Sequence, residues 1–282
     1  MCDDEIHQFN APAMSRRVFT LSAAALAVLG VAPAFADDDV VSKDVTVKTP
    51  DGEADAVLFY PAKGQHPAVL IWTDVFGLRP VFRDMGRRLA AQGYVVLVPN
   101  PFYRSMKATT EPDYSAPEVR QKYFGMMGTL SPATATADGP AFIAFLDAQP
   151  QTDTKKKAGV QGYCMGGPLT FRTAAAVPDR VGAAATFHGA ALVTDQPDSP
   201  YTLIPKTKAQ FYCAVAANDD SKQPDAKDKL KAGFAAVSRP ATVEVYDGCN
   251  HGWCVKGSPV YNEAGAEKAW AELTALYQRT LV

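Results

Sequence analysis

From about residue 40 onward the chain alternates short, near-continuous apolar runs with segments whose apolar residues recur every three or four positions. The runs at 68–72, 94–98, 159–163, 181–187, 211–216 and 242–246 each suit a strand buried on both faces of a parallel sheet. Between them the helical period predicts helices at about 81–92, 133–148, 167–176, 225–237 and 263–279. The last is the clearest, with Ala266, Ala269, Trp270, Leu273, Leu276 and Tyr277 on one face. Ahead of these, segments 45–48 and 56–60 flank Pro50-Asp51-Gly52, a turn tripeptide that predicts an opening antiparallel hairpin. Strand–helix alternation without a Pro/Gly/Ser-rich linker predicts one α/β domain with a doubly wound, mostly parallel sheet of about eight strands flanked by helices. Residues 101–132 break the rhythm, with Tyr103, Arg104, Tyr114, Tyr123 and several methionines. That stretch reads either as a lid over the C-terminal edge of the sheet or as a plain connecting loop and helix.

The first 36 residues follow a different pattern. Met14-Ser15-Arg16-Arg17-Val18-Phe19 leads into a mildly apolar stretch through Ala32, then Pro33 and the small-residue triplet Ala34-Phe35-Ala36. A charged, an apolar and a cleavable region in that order form an export signal, and the paired arginines resemble the twin-arginine type. The apolar run is too short and too diluted to span the roughly 30 Å of a bilayer's hydrocarbon. The sequence therefore predicts a signal at 1–36, a domain at 37–282, handling by the export machinery, and a periplasmic or secreted product without stable membrane insertion. Cys2 and His7 leave with the signal.

Composition is that of an ordinary globular protein, 47% hydrophobic and 21% charged, which excludes disordered and fibrous classes. A formal charge of −2 and pI near 6.1 give no field to recruit nucleic acid. Five cysteines in 282 residues are too few for a disulfide framework, so each is judged by its neighbours.

The chemistry gathers at predicted strand ends. Gly162-Tyr163-Cys164-Met165-Gly166 has the G-x-S-x-G pattern of a nucleophile elbow with sulfur in place of oxygen. Glycines are needed because a Cβ on either side of so tight a strand-to-helix turn would collide with its neighbours. The sulfur then sits at a helix N-terminus, which favours thiolate. Asn218-Asp219-Asp220 follows the predicted strand at 211–216, and Asp247-Gly248-Cys249-Asn250-His251-Gly252 follows the one at 242–246. Nucleophile, acid and histidine in that chain order, at loops sharing one sheet edge, predict a triad of Cys164, Asp219 and His251, with Asp220 the alternative acid. His188, after the strand at 181–187, reads as structural or as a pocket residue. Cys213 falls in a strand and reads as core. Cys249 and Cys254 bracket His251 without a zinc spacing, and read as packing residues or a disulfide. Neither a metal nor any other cofactor is called for.

The elbow, together with Asp74-Val75-Phe76-Gly77, Pro99-Asn100-Pro101-Phe102-Tyr103-Arg104 and Asn250-His251-Gly252, resembles the dienelactone hydrolase family of the α/β-hydrolase superfamily. The resemblance runs from the opening hairpin to the last helix. It implies an α/β-hydrolase fold and hydrolysis of a lactone or small carboxylic ester, a small-molecule substrate, through a cysteine acyl-enzyme. It implies that the carboxylate at Asp74, one methylene shorter than the family's glutamate, pairs with the resting thiol, and that Arg104 binds a substrate carboxylate. The backbone N–H groups of Met165 and Val75 would hold the oxyanion. A second family arginine is replaced by Val255, beside Lys256. The competing reading is a non-catalytic relative that binds a small ligand.

Overall fold

The structure is a computed structural model that describes residues 39–108 and 113–282. The export-signal expectation, including Arg16 and Arg17, lies outside the described residues. Strands β1 (Val40–Thr49) and β2 (Gly52–Pro61) form the expected hairpin, closed at Thr49↔Gly52. Six further strands follow: β3 (Ala68–Trp72), β4 (Val95–Pro99), β5 (Ala158–Tyr163), β6 (Val181–Phe187), β7 (Gln210–Ala216) and β8 (Ala241–Tyr246). They form one eight-stranded sheet in the order β1-β2-β4-β3-β5-β6-β7-β8. The first two pairings are antiparallel and the rest parallel. This is a single-domain α/β-hydrolase fold.

The near-continuous apolar runs have the expected cause, because alternate residues of each central strand serve opposite cores. Leu70 and Trp72 enter the layer shared with Phe142, Phe171, Phe211 and Phe234, whereas Val69 and Ile71 enter the one shared with Phe82, Leu273 and Tyr277. Helices α3 (Pro132–Asp147), α4 (Gly166–Ala176) and α6 (Ala226–Ala236) supply the first layer. Helices α1 (Pro80–Ala90) and α7 (Glu263–Leu281) supply the second. Fully burying one such Leu or Phe contributes about 1.5–3 kcal/mol, so the two layers dominate the fold's stability. The buried Gln161 between them is satisfied at both ends, donating to Tyr163 Oη at 2.9 Å and accepting from Tyr277 at 3.0 Å.

Three elements differ from the sequence expectation. Strand β1 begins at Val40 rather than near residue 45, because Val40 and Val41 are followed by the exposed Ser42, Lys43 and Asp44, too short an apolar run to mark a strand. The stretch after β7 is a six-residue helix, α5 (Ala217–Lys222), rather than a loop. Strand β8 is not buried on both faces: it is the far edge of the sheet and buries only Tyr246. Within 101–132, where a connecting loop and helix was one of the two readings, helix α2 (Pro117–Met127) buries Tyr123 and Met126 while leaving Phe124 exposed. No described helix is long and apolar enough to cross a membrane.

Candidate active site

The central strand β5 ends at the elbow. Cys164 has φ +51°, a left-handed conformation costly for any residue with a Cβ. The surrounding geometry enforces it. A Cβ on Gly162 would lie 2.1 Å from the carbonyl oxygen of Gly166, and one on Gly166 would lie 2.6 Å from that of Trp72. The first turn of α4 is thereby seated against the end of β3. The turn is stitched to its neighbour on the other side as well: Cys164 N–H donates to Phe187 O at 3.1 Å, and Ala190 N–H to Cys164 O at 3.1 Å.

The acid and the histidine arrive from the strands beyond. Ala217 N–H donates to Cys249 O at 2.9 Å, and His251 N–H donates to the side-chain oxygen of Asn218 at 2.8 Å. These two bonds tie α5 to the loop after β8. They hold His251 Nδ1 at 2.5 Å from Asp219 Oδ2, with Cys164 near enough to act on the same imidazole. Burial disfavours a charged His251. The interactions with Asp219 and Cys164 outweigh it and push its pKa up to about 10. Asp220, the alternative acid, is engaged elsewhere: both its oxygens accept from Lys227 Nζ, at 2.7 and 2.9 Å. The structure thus brings Cys164, His251 and Asp219 together. Asn218, whose amide oxygen fixes the histidine backbone, is the positioning residue that the sequence reading passed over.

The N–H groups of Met165 and Val75, the expected oxyanion donors, donate to no acceptor among the described residues. Met165 stands at the N-cap of α4, and Val75 lies in the loop after β3. An oxyanion requires donors left free in this way.

Two expected roles need correction. Asp74 is not paired with the thiol: Arg79 clamps its carboxylate with Nη1–Oδ1 at 2.6 Å and Nη2–Oδ2 at 2.7 Å, and Phe76 N–H adds a third bond at 2.9 Å. The Arg79 guanidinium is also covered by the rings of Phe76, Phe82 and Tyr114, each within 6 Å. The bidentate fit of a guanidinium outcompetes a thiol for this carboxylate, so Asp74 shapes the loop that carries Val75. Arg104 does not project a free guanidinium either. It binds buried Asp138 through Nη1 and Nη2 at 2.7 and 2.8 Å, and Asp51 through Nε and Nη2 at 3.0 and 2.6 Å. Four of its five donors are committed, which ties the β1–β2 turn to α3.

The remaining thiols are free. Burial raises the Cys213 pKa to about 12, and burial also raises those of Cys249 and Cys254, so all three stay protonated. Cys213 lies in the core as expected. No cluster of three or more His, Cys, Asp or Glu able to hold a metal occurs among the described residues. His188 is buried and touches His251 ring to ring.

Comparison with known proteins agrees with this architecture. Carboxymethylenebutenolidase of Rhodococcus opacus is 26% identical over 227 residues, covering 77% of this chain and 83% of its own. The dienelactone hydrolase-like promiscuous phosphotriesterase P91 from metagenomic libraries superposes with a TM-score of 0.67 at 19% identity, over 86% of this chain and all of that one. Dienelactone hydrolase from Anabaena variabilis ATCC 29413 superposes with a TM-score of 0.62 at 17% identity, again over 86% of this chain and all of its own. These structural likenesses are ones of fold. The dienelactone hydrolase family profile matches residues 54–281, and the chain belongs to that family.

Proposed function

We propose that this protein hydrolyses a lactone or small carboxylic ester through Cys164, with His251 and Asp219 completing a triad. The reading is supported by one arrangement above all: a cysteine at a strained elbow beside an imidazole that a carboxylate holds through Nδ1. A protonated His251 beside Cys164 supplies the cation that stabilises a thiolate.

In this reaction the Cys164 sulfur attacks the carbonyl carbon, and the carbonyl π electrons move to oxygen, where the N–H groups of Met165 and Val75 receive the charge. Collapse of the tetrahedral intermediate breaks the carbon–oxygen ester bond. The departing alkoxide takes the proton from His251, leaving a thioester and a neutral imidazole. His251 then accepts a proton from water as its oxygen attacks the thioester, and collapse expels the thiolate and releases the carboxylic acid product. Asp219 keeps the imidazole oriented and stabilises its charged form throughout. Because Arg104 is bound by two carboxylates and Val255 is apolar, neutral esters and lactones suit the site better than substrates carrying a carboxylate. The name carboxymethylenebutenolidase, borne by relatives, is consistent with lactone hydrolysis here.

Residues 1–36 act in this proposal as a twin-arginine-type export signal, so that the catalytic domain 37–282 works in the periplasm or outside the cell. Amino-terminal sequencing of protein from the periplasmic fraction should begin at Asp37, and replacing Arg16 and Arg17 by lysine should retain the precursor inside. The activity is tested with p-nitrophenyl acetate and a panel of lactones on the reduced wild type, Cys164→Ala and His251→Ala. Wild-type turnover abolished in both variants is expected. Absence of turnover by the reduced wild type across the panel defeats the proposal, and activity persisting in Cys164→Ala defeats the mechanism.

A further inference from the structure

His188 closes β6 with φ +41°, a second strained residue at the sheet edge, and its side chain is 1% exposed. Its backbone N–H is used, donating to Ala214 O at 2.8 Å, but neither ring nitrogen has a hydrogen-bond partner among the described residues. Burying an unpaired N–H and an unpaired ring nitrogen is costly, and such groups in a folded protein call for an explanation. The ring's contacts supply one. Its centroid lies 4.8 Å from that of His251 and 5.2 Å from that of Trp253, edge to face with the latter, with Tyr163 at 6.1 Å.

His251 needs such a neighbour. Its fixed points, the backbone bond to Asn218 and the Nδ1 contact with Asp219, both come from α5. The side chain remains 29% exposed. Two anchors from one short helix leave the orientation of the ring to its packing neighbours. His188, itself in contact with Trp253, is one of them.

We infer that His188 is a positioning residue for the reaction proposed above: its ring, in contact with both Trp253 and His251, holds the His251 imidazole in line between Asp219 and Cys164. The role is one of packing between the two rings. It depends on neutrality, since a second cation 4.8 Å away would repel the His251 imidazolium. Burial, then the charge of His251, hold His188 well below the ordinary histidine range. The titratable groups facing it are His251 from the loop after β8 and the phenol of Tyr163 from β5, with Cys164 and Asp219 reached only through His251. No carboxylate pairs with its ring among the described residues.

The test compares wild type, His188→Phe and His188→Ala by two readouts. The first is the pH dependence of iodoacetamide alkylation at Cys164, quantified on its own peptide so that the other thiols do not interfere. The second is the separation of kcat from KM on p-nitrophenyl acetate. His188→Ala is expected to lower kcat by about 10- to 100-fold with KM little changed, the cost of a misplaced catalytic group. It should also move the alkylation profile toward higher pH, because the thiolate loses its aligned imidazolium. His188→Phe restores a flat ring and is expected to recover most of both. Where the alanine variant fails to fold by circular dichroism, His188→Leu takes its place and should behave as the alanine variant is expected to. Alkylation and kcat at wild-type values in a folded alanine or leucine variant overturn the inference. A phenylalanine variant as impaired as the alanine variant also overturns it, since the nitrogens would then be in use. Alkylation needs no ester, so a wild type without turnover strikes the proposed function alone.

Discussion

Replacing Arg79 by methionine isolates what the corrected reading of Asp74 demands. Both partners of this pair are 10% exposed, so the substitution leaves a carboxylate almost wholly removed from water with only the Phe76 N–H, at 2.9 Å, to hold it. Two charge-assisted bonds of 2.6 and 2.7 Å are lost at once, together with the stacking of the guanidinium against three aromatic rings. Removing one partner of a buried ion pair typically costs about 3–5 kcal/mol, because the other charge stays behind unpaired. For a domain of this size each kcal/mol lowers Tm by roughly 2–4 °C, so Arg79→Met should melt about 6–20 °C below wild type in a calorimetric scan. The double variant Asp74→Asn/Arg79→Met removes both charges and should recover much of that loss, which a double-mutant cycle measures directly. Activity supplies the second reading. If Asp74 and Arg79 shape the loop that presents Val75 N–H, the single variant should lose about 10²–10³ in kcat, the usual effect of removing one oxyanion donor. Melting within about 2 °C of wild type would refute the assignment of a structural ion pair. A stable variant that reacts more slowly with iodoacetamide at Cys164, while keeping its loop, would instead return Asp74 to the thiol.

The Asp219–His251 pair should leave a pH signature in stability. A histidine whose pKa is raised from 6.5 to about 10 on folding stabilises the native state fully below pH 6.5 and loses that contribution as pH rises toward 10. The Tm difference between wild type and Asp219→Asn should therefore be largest near pH 6 and shrink by pH 10; a constant difference contradicts the pairing. Arg104→Met strips the buried carboxylate of Asp138, 3% exposed, of its guanidinium and should destabilise by about 3–5 kcal/mol in urea titration. With neutral p-nitrophenyl esters its KM should stay at the wild-type value, and a large rise in KM confined to carboxylate-bearing esters would restore a substrate-binding role. Gly162→Ala sets a methyl 2.1 Å from a backbone oxygen and should cost about 3 kcal/mol or more, seen as lost soluble expression or a collapsed Tm. Wild-type stability in that variant would mean the elbow is not as tight as described.

What could be read from the chain and what could not divides along a physical line. Strands β3 to β7 were legible because burial on both faces forces continuous apolar runs, a signal carried by the strand's own residues; β8, at the edge of the sheet, buries only Tyr246 and forms without that cause. The elbow was legible in part for the same reason: Gly162 is demanded by a collision within the five-residue turn, whereas Gly166 is demanded by the approach of β3. The start of β1 was not, and a helix within 101–132 was legible only as one of two readings, because an edge strand and the mostly exposed α2 need little apolar pattern. Charged side chains were the least legible, since their roles are set by partners that sequence distance hides. Arg104 has the right type and place to bind a carboxylate, and it does bind carboxylates, but they are Asp51 and Asp138, 53 and 34 positions away. Asp219 and Asp220 are adjacent and chemically identical, so no local pattern separates them; the first turn of α5 points one to His251 and the other to Lys227.

These pairings bear on the chemistry as a set. Arg79 engages Asp74, Arg104 engages Asp138 and Asp51, and Lys227 engages Asp220, each within 2.7 Å at its shortest contact. Every one of these carboxylates lies on a segment that follows or faces the C-terminal ends of the parallel strands, the edge where His251 carries its positive charge. An unpaired carboxylate there could compete with Asp219 for the imidazole, and an unpaired guanidinium could compete with the imidazole for Asp219. Matching each charge to a fixed partner leaves the Asp219–His251–Cys164 line without a rival. The same matching underlies the proposed preference for neutral substrates. Lysine substitution at Asp220 makes the point testable. Like charges would then face each other at Lys227, freeing a cation within one residue of Asp219. The freed ammonium should draw the carboxylate from His251, lower the histidine's pKa, and move the Cys164 alkylation profile toward higher pH. Asp220→Asn leaves Lys227 free without the added repulsion and should shift the profile in the same direction by less. An unmoved profile in both variants would show that Asp219 needs no such isolation.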